Sequence, residues 1–482
     1  MLRIFQQSSV SGAQAYYASA DYYTEGQEIA GQWRGMGAER LGLAGEIRKE
    51  DWDQLCANID PATGKRLTKF SKSNRRVGYD LNWHVPKSVS LLYALHPDER
   101  IVEALRESVA ETMADIEAEV ETRVRKGRKD HDRTTGNLIW GEFVHTTGRP
   151  VNGIPDPHLH LHAFVMNATF DDVEGRWKAV QLGTVKSDAP YWEGCFHVRL
   201  AAKLADLGLP IERTRTRWML KGVEMSALPK FSRRTALIEA EARRRGIFDQ
   251  DAKSELGAKT REKKDKEYSF AQLRTLWDGM LDAKERASLQ AVAARLGGPA
   301  VPLEEKDAPQ VAVDYAIQHV FERKAVVRER VLLAHALKQA AGSARLETVL
   351  TLAKGAKLLR ATLGGRSMVS TPEVLAEEQA MLAFAKEGRD AFRPFAAPDA
   401  AFKQTFLSPD QKRVVRAMLA STDGITIMRG VSGTGKTTVM VDVVNAIEAG
   451  GQKVFAFAPA PRRAGWCSGM PGSRTPTPSP SC

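Results

Sequence analysis

The sequence has few cysteines and no long apolar segment. Its four cysteines, Cys56, Cys195, Cys467 and Cys482, are far apart and form no C-x-x-C pair, which excludes a disulfide framework and a thiolate metal site. No apolar run reaches about 18 residues, and the first residues lack a secretory pattern. We therefore expect a cytoplasmic protein without membrane insertion.

Acidic residues are outnumbered by basic ones. The 482 residues include 70 Lys and Arg against 59 Asp and Glu, which gives a formal net charge of +11. A basic surface of this size commonly serves phosphate backbones, although many basic proteins bind none. The hydrophobic content of 43% is ordinary for globular protein, and the length allows about two to four domains.

Residues 156–166, DPHLHLHAFVM, have the alternation of a strand. His158, His160 and His162 share one face, while the residues between them are apolar and pack. A single His-x-His on an exposed strand is usually without function, but three in register, in a chain with ten histidines, favour a metal site. A further ligand must come from elsewhere. Residues 137–145 read as the neighbouring strand, which would bring His145 beside His160 and His162.

Four of the nine tyrosines fall close together near the N-terminus, as Tyr16, Tyr17, Tyr22 and Tyr23. One such pair would ordinarily be core filler, whereas two pairs suggest chemistry. A phenol with a pKa of about 10 is a poor nucleophile at neutral pH, but a metal that neutralises a phosphate under attack makes it adequate. Residues 77–85 alternate as a strand, and its polar face carries Asp80, a candidate to orient a histidine or accept a proton.

Helical periodicity dominates several other segments. Apolar residues at spacings of three and four predict a long helix over 98–125. Three shorter helices are predicted over 311–321, 328–341 and 346–352. Turn residues at 297–299 mark a boundary before them.

Near the C-terminus, residues 430–437, GVSGTGKT, fit the phosphate-binding pattern G-x-x-x-x-G-K-[ST]. A predicted strand, 424–428, precedes them and a predicted helix, 438–449, follows. Backbone N–H groups of such a loop wrap phosphates. The candidate nucleotide-binding residues are Gly430, Gly433, Gly435, Lys436 and Thr437, with Gln411 placed upstream where it could read adenine.

No Asp or Glu follows Glu448, so no later carboxylate is present to hold magnesium or position water for hydrolysis. One further strand, 453–457, is predicted. From about residue 461 the composition becomes rich in Arg, Gly, Ser, Thr and Pro, which is typical of disorder. We hypothesise that the reading frame or the chain is broken near this point, so that ATPase activity is absent.

The order of these motifs resembles the MobF-type conjugative relaxases, the TrwC/TraI group. The resemblance rests on the tyrosine pairs, Asp80 before PKSVS at 86–90, TGNL at 135–138, and His145 before HLH at 160–162. In that family a relaxase domain of the His-hydrophobe-His class precedes a superfamily 1 helicase, which the loop at 430–437 resembles.

The resemblance implies metal-dependent, strand-specific nicking of plasmid transfer-origin DNA, with a tyrosine joined to the 5′ end. Tyr16 would attack first and Tyr22 second, with Tyr17 and Tyr23 in support. His145, His160 and His162 would hold the metal, Mg²⁺ or Mn²⁺ with Zn²⁺ or Ni²⁺ as alternatives, and ATP with Mg²⁺ would bind the P-loop. Single-stranded or hairpin DNA, relaxosome accessory proteins and coupling proteins are the implied partners. His158 departs from the family pattern and could substitute as a ligand by its face alone.

The predicted fold is α/β, with an antiparallel sheet flanked by helices, a helical middle and an incomplete P-loop α/β domain. The predicted ranges are 1–296 for the relaxase domain, 297–400 for the helical region, 401–460 for the partial helicase domain and 461–482 for the tail. Three alternatives stay open: a rolling-circle replication initiator, an ATP-driven motor fragment whose N-terminal half only binds DNA, and an inactive DNA-binding remnant.

Overall fold

A computed structural model describes residues 2–18, 31–69, 75–214, 217–259, 268–303, 307–396, 404–455 and 457. The chain forms two compact units, Met1–Ser370 and Thr371–Cys482. None of the described helices is both long enough and apolar enough to span a membrane.

A six-stranded antiparallel sheet organises the first unit, with strand order β1-β4-β8-β7-β2-β3. The two longest strands, β7 and β8, form a hairpin at its centre. The strands are β1 Arg3–Gln7, β2 Gln32–Arg34, β3 Gly45–Glu46, β4 Gly78–His84, β7 Trp140–Val151 and β8 Ile154–Met166.

Helices cover both faces of this sheet. The larger core cluster joins α4, α5 and α7 to the apolar face, and the smaller cluster joins α1 and α3 to the face that carries the histidines. The helices are α1 Val10–Ala18, α2 Met36–Arg40, α3 Lys49–Cys56, α4 Lys87–Leu95, α5 Glu99–Glu119, α6 Gly183–Ser187 and α7 Ala189–Asp206.

Smaller sheets and a group of helices complete this part of the first unit. The strands are β5 Glu121–Lys126, β6 Lys129–Thr134, β9 Thr169–Asp171, β10 Arg176–Lys178, β11 Val180–Gln181, β12 Ile211–Arg213 and β13 Trp218–Leu220. The helices are α8 Ala227–Lys230, α9 Arg233–Arg244, α10 Gln250–Lys259, α11 Phe270–Gly279 and α12 Ala283–Ala293. The helix predicted over 98–125 ends at Glu119, and the chain continues as the β5–β6 hairpin.

The last part of the first unit, residues 308–370, packs against α7. It contains α13 Ala308–Phe321, β14 Val327–Arg328, α14 Glu329–Ala340, α15 Leu346–Gly355, β15 Leu359–Leu363 and β16 Arg366–Ser370. Leu337 of α14 lies against Gly194 of α7, and Arg330 of α14 pairs with the buried carboxylate of Asp188 at 3.0 Å. These contacts join residues 308–370 to the first unit, which ends at Ser370. The domain ranges expected from the sequence stay a prediction.

The second unit contains α16 Pro372–Glu387, α17 Pro409–Leu419 and α18 Lys436–Ala449. The predicted strands 424–428 and 453–457 are not strands in the described part of this unit. Ile427 is 85% exposed and Phe455 is 62% exposed. A buried parallel strand needs hydrogen-bonding neighbours on both sides, and the described residues here supply none.

The Gly194 contact yields a stability prediction. A Cβ added to Gly194 would lie 2.8 Å from Cβ of Leu337, closer than real Cβ contacts. We expect Gly194→Ala to lower the free energy of unfolding by about 1–3 kcal/mol through overpacking, despite the helix preference of alanine. Chemical denaturation measures the change.

Gly279→Ala is the matched control, because Gly279 lies in α11 with no atom within 4 Å of an added Cβ. This control should be neutral or stabilise by up to about 1 kcal/mol. Equal effects of the two substitutions would contradict the tight contact between α7 and α14.

Candidate metal centre and nucleotide loop

Strand pairing assembles the histidine cluster. β8 pairs with β7 so that His145 lies opposite His160, and with β4 so that Asn82 lies opposite His162. One ring nitrogen each from His145, His160 and His162 falls within 4.8 Å of the others. Three imidazole nitrogens at these separations can bind one divalent ion, and the predicted triad is therefore brought together.

Hydrogen bonds orient two of the three imidazoles. The Nδ1–H group of His160 donates to the carbonyl oxygen of His158 at 2.7 Å. Nδ1 of His162 lies 3.0 Å and 3.1 Å from the two carboxylate oxygens of Asp80. Each contact leaves Nε2 as the nitrogen available for a metal, in the arrangement by which outer partners fix a metal-binding histidine.

Asp80 is held in turn by a neighbour on its own strand. The side-chain amide of Asn82 donates to Asp80 Oδ2 at 3.0 Å, and both residues are largely buried in β4. Asn82 was not among the predicted site residues, although the alternation of β4 puts it on the same face as Asp80. The structure thus places Asp80 where the sequence predicted a residue that orients a histidine.

His158 has a different neighbour. Its Nε2 lies 3.1 Å from Nδ1 of His84, and the two rings stack with centroids 5.0 Å apart. The pairing with His84 was not predicted, because the two residues are far apart in sequence. His158 lies outside the convergent group of three.

Burial favours the neutral form of His145, His158 and His160. It lowers the pKa of His145 and of His158 well below the ordinary value, and nearby imidazoles lower both further. Burial and His162 likewise lower the pKa of His160 to about 3. Neutral imidazole is the form that binds a metal, so the donor set fits a divalent cation at neutral pH.

A lysine lies near the same edge of the sheet. Nζ of Lys87, at the start of α4, donates to the carbonyl oxygen of Pro157 at 2.8 Å. Burial lowers the pKa of Lys87 to about 8. The lysine of the PKSVS motif therefore lies close to the strand that carries the histidines.

Helix α1, which contains Tyr16 and Tyr17, lies over the histidine-bearing face. Its Ala13 is fully buried in the same cluster as Phe143 and Phe164, and the Ala13 carbonyl accepts a hydrogen bond of 3.0 Å from the Trp52 indole. Phe143 and Phe164 share that face with the triad because they are two residues from His145 and His162. Tyr22 and Tyr23 lie outside the described residues.

In the second unit, the lysine of the 430–437 loop forms hydrogen bonds within that loop. Nζ of Lys436 donates to the carbonyl oxygens of Gly430 and Val431, each at 2.7 Å. Gly433 and Gly435 have φ angles of 84° and 77°, values that favour glycine. Thr437 lies in the first turn of α18, as a P-loop requires.

Gln411 contacts this loop. Its side-chain amide donates to the carbonyl oxygen of Thr434 at 3.3 Å, and its Oε1 accepts from the backbone N–H of Ser408 in a capping box. The predicted role in reading adenine stays a prediction.

The fold and the site define an α/β domain of the His-hydrophobe-His class, with three candidate metal ligands on an antiparallel sheet. A family model described as TrwC relaxase matches residues 10–284, and a model described as AAA domain matches residues 406–475. The chain belongs to the TrwC relaxase family.

Curated relatives and solved structures agree with this assignment. The multifunctional conjugation protein TraI of Escherichia coli strain K12 is 30% identical over 348 residues, which are 67% of this chain and 19% of TraI. The chain thus spans about a fifth of that relative. A metal-free complex of the conjugative relaxase TrwC with oriT DNA matches at 28% identity with a TM-score of 0.51, covering 58% of this chain and 97% of that one. A copper-bound TrwC–oriT complex matches over the same shares, also at 28% identity, with a TM-score of 0.53.

The triad predicts a specific pattern of metal affinity. We expect His162→Ala to weaken Mn²⁺ binding by more than about 100-fold. Asp80→Ala should weaken it by about 10–100-fold, the usual effect of removing an outer partner. Isothermal titration calorimetry measures both changes.

Two further histidine variants serve as controls. His158→Ala should leave the affinity within about twofold, because Nε2 of His158 faces His84 and does not join the three convergent nitrogens, although its ring lies 4.6 Å from that of His160. His131→Ala changes an exposed histidine of β6 and should have no effect. A loss in His158→Ala as deep as in His162→Ala would contradict the assignment of ligands.

Proposed function

We propose that this chain is a conjugative relaxase, which nicks and rejoins one strand of plasmid DNA at a transfer origin. The observation that carries the proposal is the convergence of His145, His160 and His162 on the sheet face that α1 covers. The solved relatives are described as complexes with oriT DNA, one of them containing a recognition hairpin and cleavage site. Single-stranded or hairpin DNA at such an origin is therefore the proposed substrate.

The proposed reaction is a transesterification. The phenolic oxygen of Tyr16 bonds to the scissile phosphorus and loses its proton, the bond from phosphorus to the 3′ oxygen breaks, and that oxygen leaves as a hydroxyl. The product is a 5′-phosphotyrosyl link, and the reverse step rejoins DNA without ATP. Tyr22 would carry out the second transfer, with Tyr17 and Tyr23 in support.

The histidine triad would hold a divalent cation that neutralises charge on the phosphate oxygens. Asp80 keeps the His162 ring in the orientation that presents Nε2, and the His158 carbonyl does the same for His160. Imidazole donors bind Zn²⁺ or Ni²⁺ more strongly than Mg²⁺ or Mn²⁺. We nevertheless propose Mg²⁺ or Mn²⁺ in the cell, because the availability of each metal there determines which one occupies the site. Plasmid DNA as substrate implies the cytoplasm as the location, and relaxosome accessory and coupling proteins as partners.

The attacking tyrosine is tested by adduct formation. The wild-type chain, incubated with supercoiled plasmid carrying its origin and Mn²⁺, should give a protein–DNA adduct that survives denaturant. Tyr16→Phe should lower the initial rate of adduct formation by at least about 100-fold, because phenylalanine has no nucleophilic oxygen. Denaturing electrophoresis measures the rate.

Tyr315→Phe is the matched control, since Tyr315 lies exposed on α13 and stacks on His319. It should form the adduct at the wild-type rate. Adduct formed by Tyr16→Phe as fast as by wild type would refute the assignment of this tyrosine, and absence of adduct in the wild type would refute the nicking function.

We also propose that residues 430–437 bind a nucleoside triphosphate with Mg²⁺. Lys436 would exchange its contacts with the loop carbonyls for the terminal phosphates, and Thr437 would contact the magnesium ion. No ATP hydrolysis by this chain is expected.

Lys436→Ala should weaken ATP binding by at least about tenfold, measured by fluorescence titration with a labelled ATP analogue. Lys453→Ala removes the same charge outside the loop and should retain wild-type affinity. Equal losses would show that the binding is only general electrostatic attraction, and turnover of ATP by the wild type would contradict the expected lack of hydrolysis.

A further inference from the structure

The order of helices and strands in the segment 308–370 matches that of a known supersecondary structure. Helix α13 is followed by the short strand β14, helices α14 and α15, and the hairpin β15–β16. The three strands pair in the order β14-β16-β15, all antiparallel. A helix, a strand, two helices and a two-stranded hairpin, with the last strand at the centre of the sheet, form the winged-helix topology.

Details of the turns agree with that topology. Helices α14 and α15 are joined by residues 341–345, in which Gly342 has a φ of 88°, as in a helix-turn-helix whose tight turn needs glycine. The hairpin turns through Gly364 and Gly365, with φ angles of 57° and 76°. Two consecutive positive φ angles produce a two-residue turn that matches the twist of paired strands.

The interior of this winged helix is continuous with the larger core of the first unit. Buried residues from all three helices and two strands belong to the larger cluster: Val313, Ala316, Val320, Val327, Leu332, Ala336, Leu337, Ala340, Leu346, Val349, Ala353 and Val369. The buried apolar residues of α15 therefore face the core, and its opposite face is exposed to solvent. Glu347, Thr351 and Lys354 are exposed on that face at spacings of four and three.

The surface formed by α15 and the hairpin is basic. Residues 345–370 contain five cationic side chains and one acidic one: Arg345, Lys354, Lys357, Arg360, Arg366 and Glu347. Arg345 pairs with Asp206 and Arg360 with Glu329, at 2.7 Å and 3.1 Å. Lys354, Lys357 and Arg366 are exposed and lie at the end of α15, just after it, and at the start of β16.

We propose that residues 308–370 are a winged-helix module that binds duplex DNA, with α15 in the major groove and the 363–366 turn at the adjacent backbone. An α-helix fits the major groove of B-form DNA, and lysine or arginine at its rim neutralises phosphates. The module supplies a second DNA contact, separate from the histidine triad. It rests on the proposed function only for the identity of the DNA, which would be the duplex beside the nicked strand.

The test uses the full chain with EDTA, so that binding is measured apart from nicking. A fluorescent 30-base-pair duplex of arbitrary sequence is titrated at several salt concentrations, and anisotropy gives the Kd. The double substitution K354A/R366A should weaken binding about tenfold and reduce the slope of log K against log salt by about 2. Its adduct formation on a single-stranded origin oligonucleotide should equal that of wild type, whatever the outcome for the duplex.

K186A/K221A is the matched control, because it removes two exposed cations elsewhere in the first unit. The control should retain the wild-type slope. Thr351→Glu, which places a negative charge on the exposed face of α15, should weaken duplex binding more than Thr351→Ala, and circular dichroism should show both folded. Equal effects of the two double variants, or no effect of either, would overturn the proposal without touching the nicking function.

Discussion

The register between β7 and β8 is the constraint on which the candidate metal centre depends. His145 lies opposite His160, so ligands from two strands meet on one face without a loop to position them. A shift of one residue would move the side chain of His145 to the opposite face, among the apolar residues packed on α5. The register changes that do occur in this pair lie beyond His145, toward the hairpin turn, where Thr147 pairs with Pro157.

Packing on the opposite face fixes this register. Leu159, Leu161 and Ala163 are fully buried against the helices of the larger core, and they alternate with the histidines. Slippage of β8 would remove these side chains from the larger core and put imidazoles in their place, at a cost of about 1.5–3 kcal/mol for each large apolar side chain. The packed core on one face of the sheet therefore fixes the positions of the histidines on the other.

Strand alternation is the part of this structure that sequence predicts best. It placed His158, His160 and His162 on one face of β8, and Asp80 on the polar face of β4. Alternation depends only on the local backbone, so it can be predicted without knowing which strands are neighbours. It could not show that His158 meets His84, because that contact depends on how β4 and β8 are aligned.

Some sequence patterns are compatible with more than one secondary structure, and the predictions based on them were wrong. Val120 and Val124 are spaced for a helix face and for a strand face alike, and both are buried, although one ends α5 and the other lies in β5. Residues 424–428 have the composition of a buried strand, but a strand forms only where neighbours complete its hydrogen bonds. The 359–370 hairpin was not predicted, although LRATL at 359–363 alternates apolar and polar residues, because five residues are a short signal and β15 has no buried face.

The attachment of the winged helix to the relaxase fold has a consequence for its use. Asp188 has only 4% of its side chain exposed, and it pairs with both Arg328 and Arg330. Arg330 also lies over the Trp192 ring, 4.7 Å from its centroid. Removing one partner from a buried ion pair typically costs about 3–5 kcal/mol, so these contacts resist separation. A module held in this way keeps a fixed orientation relative to the histidine-bearing sheet, so duplex bound along α15 would be held at a fixed orientation to the candidate metal centre.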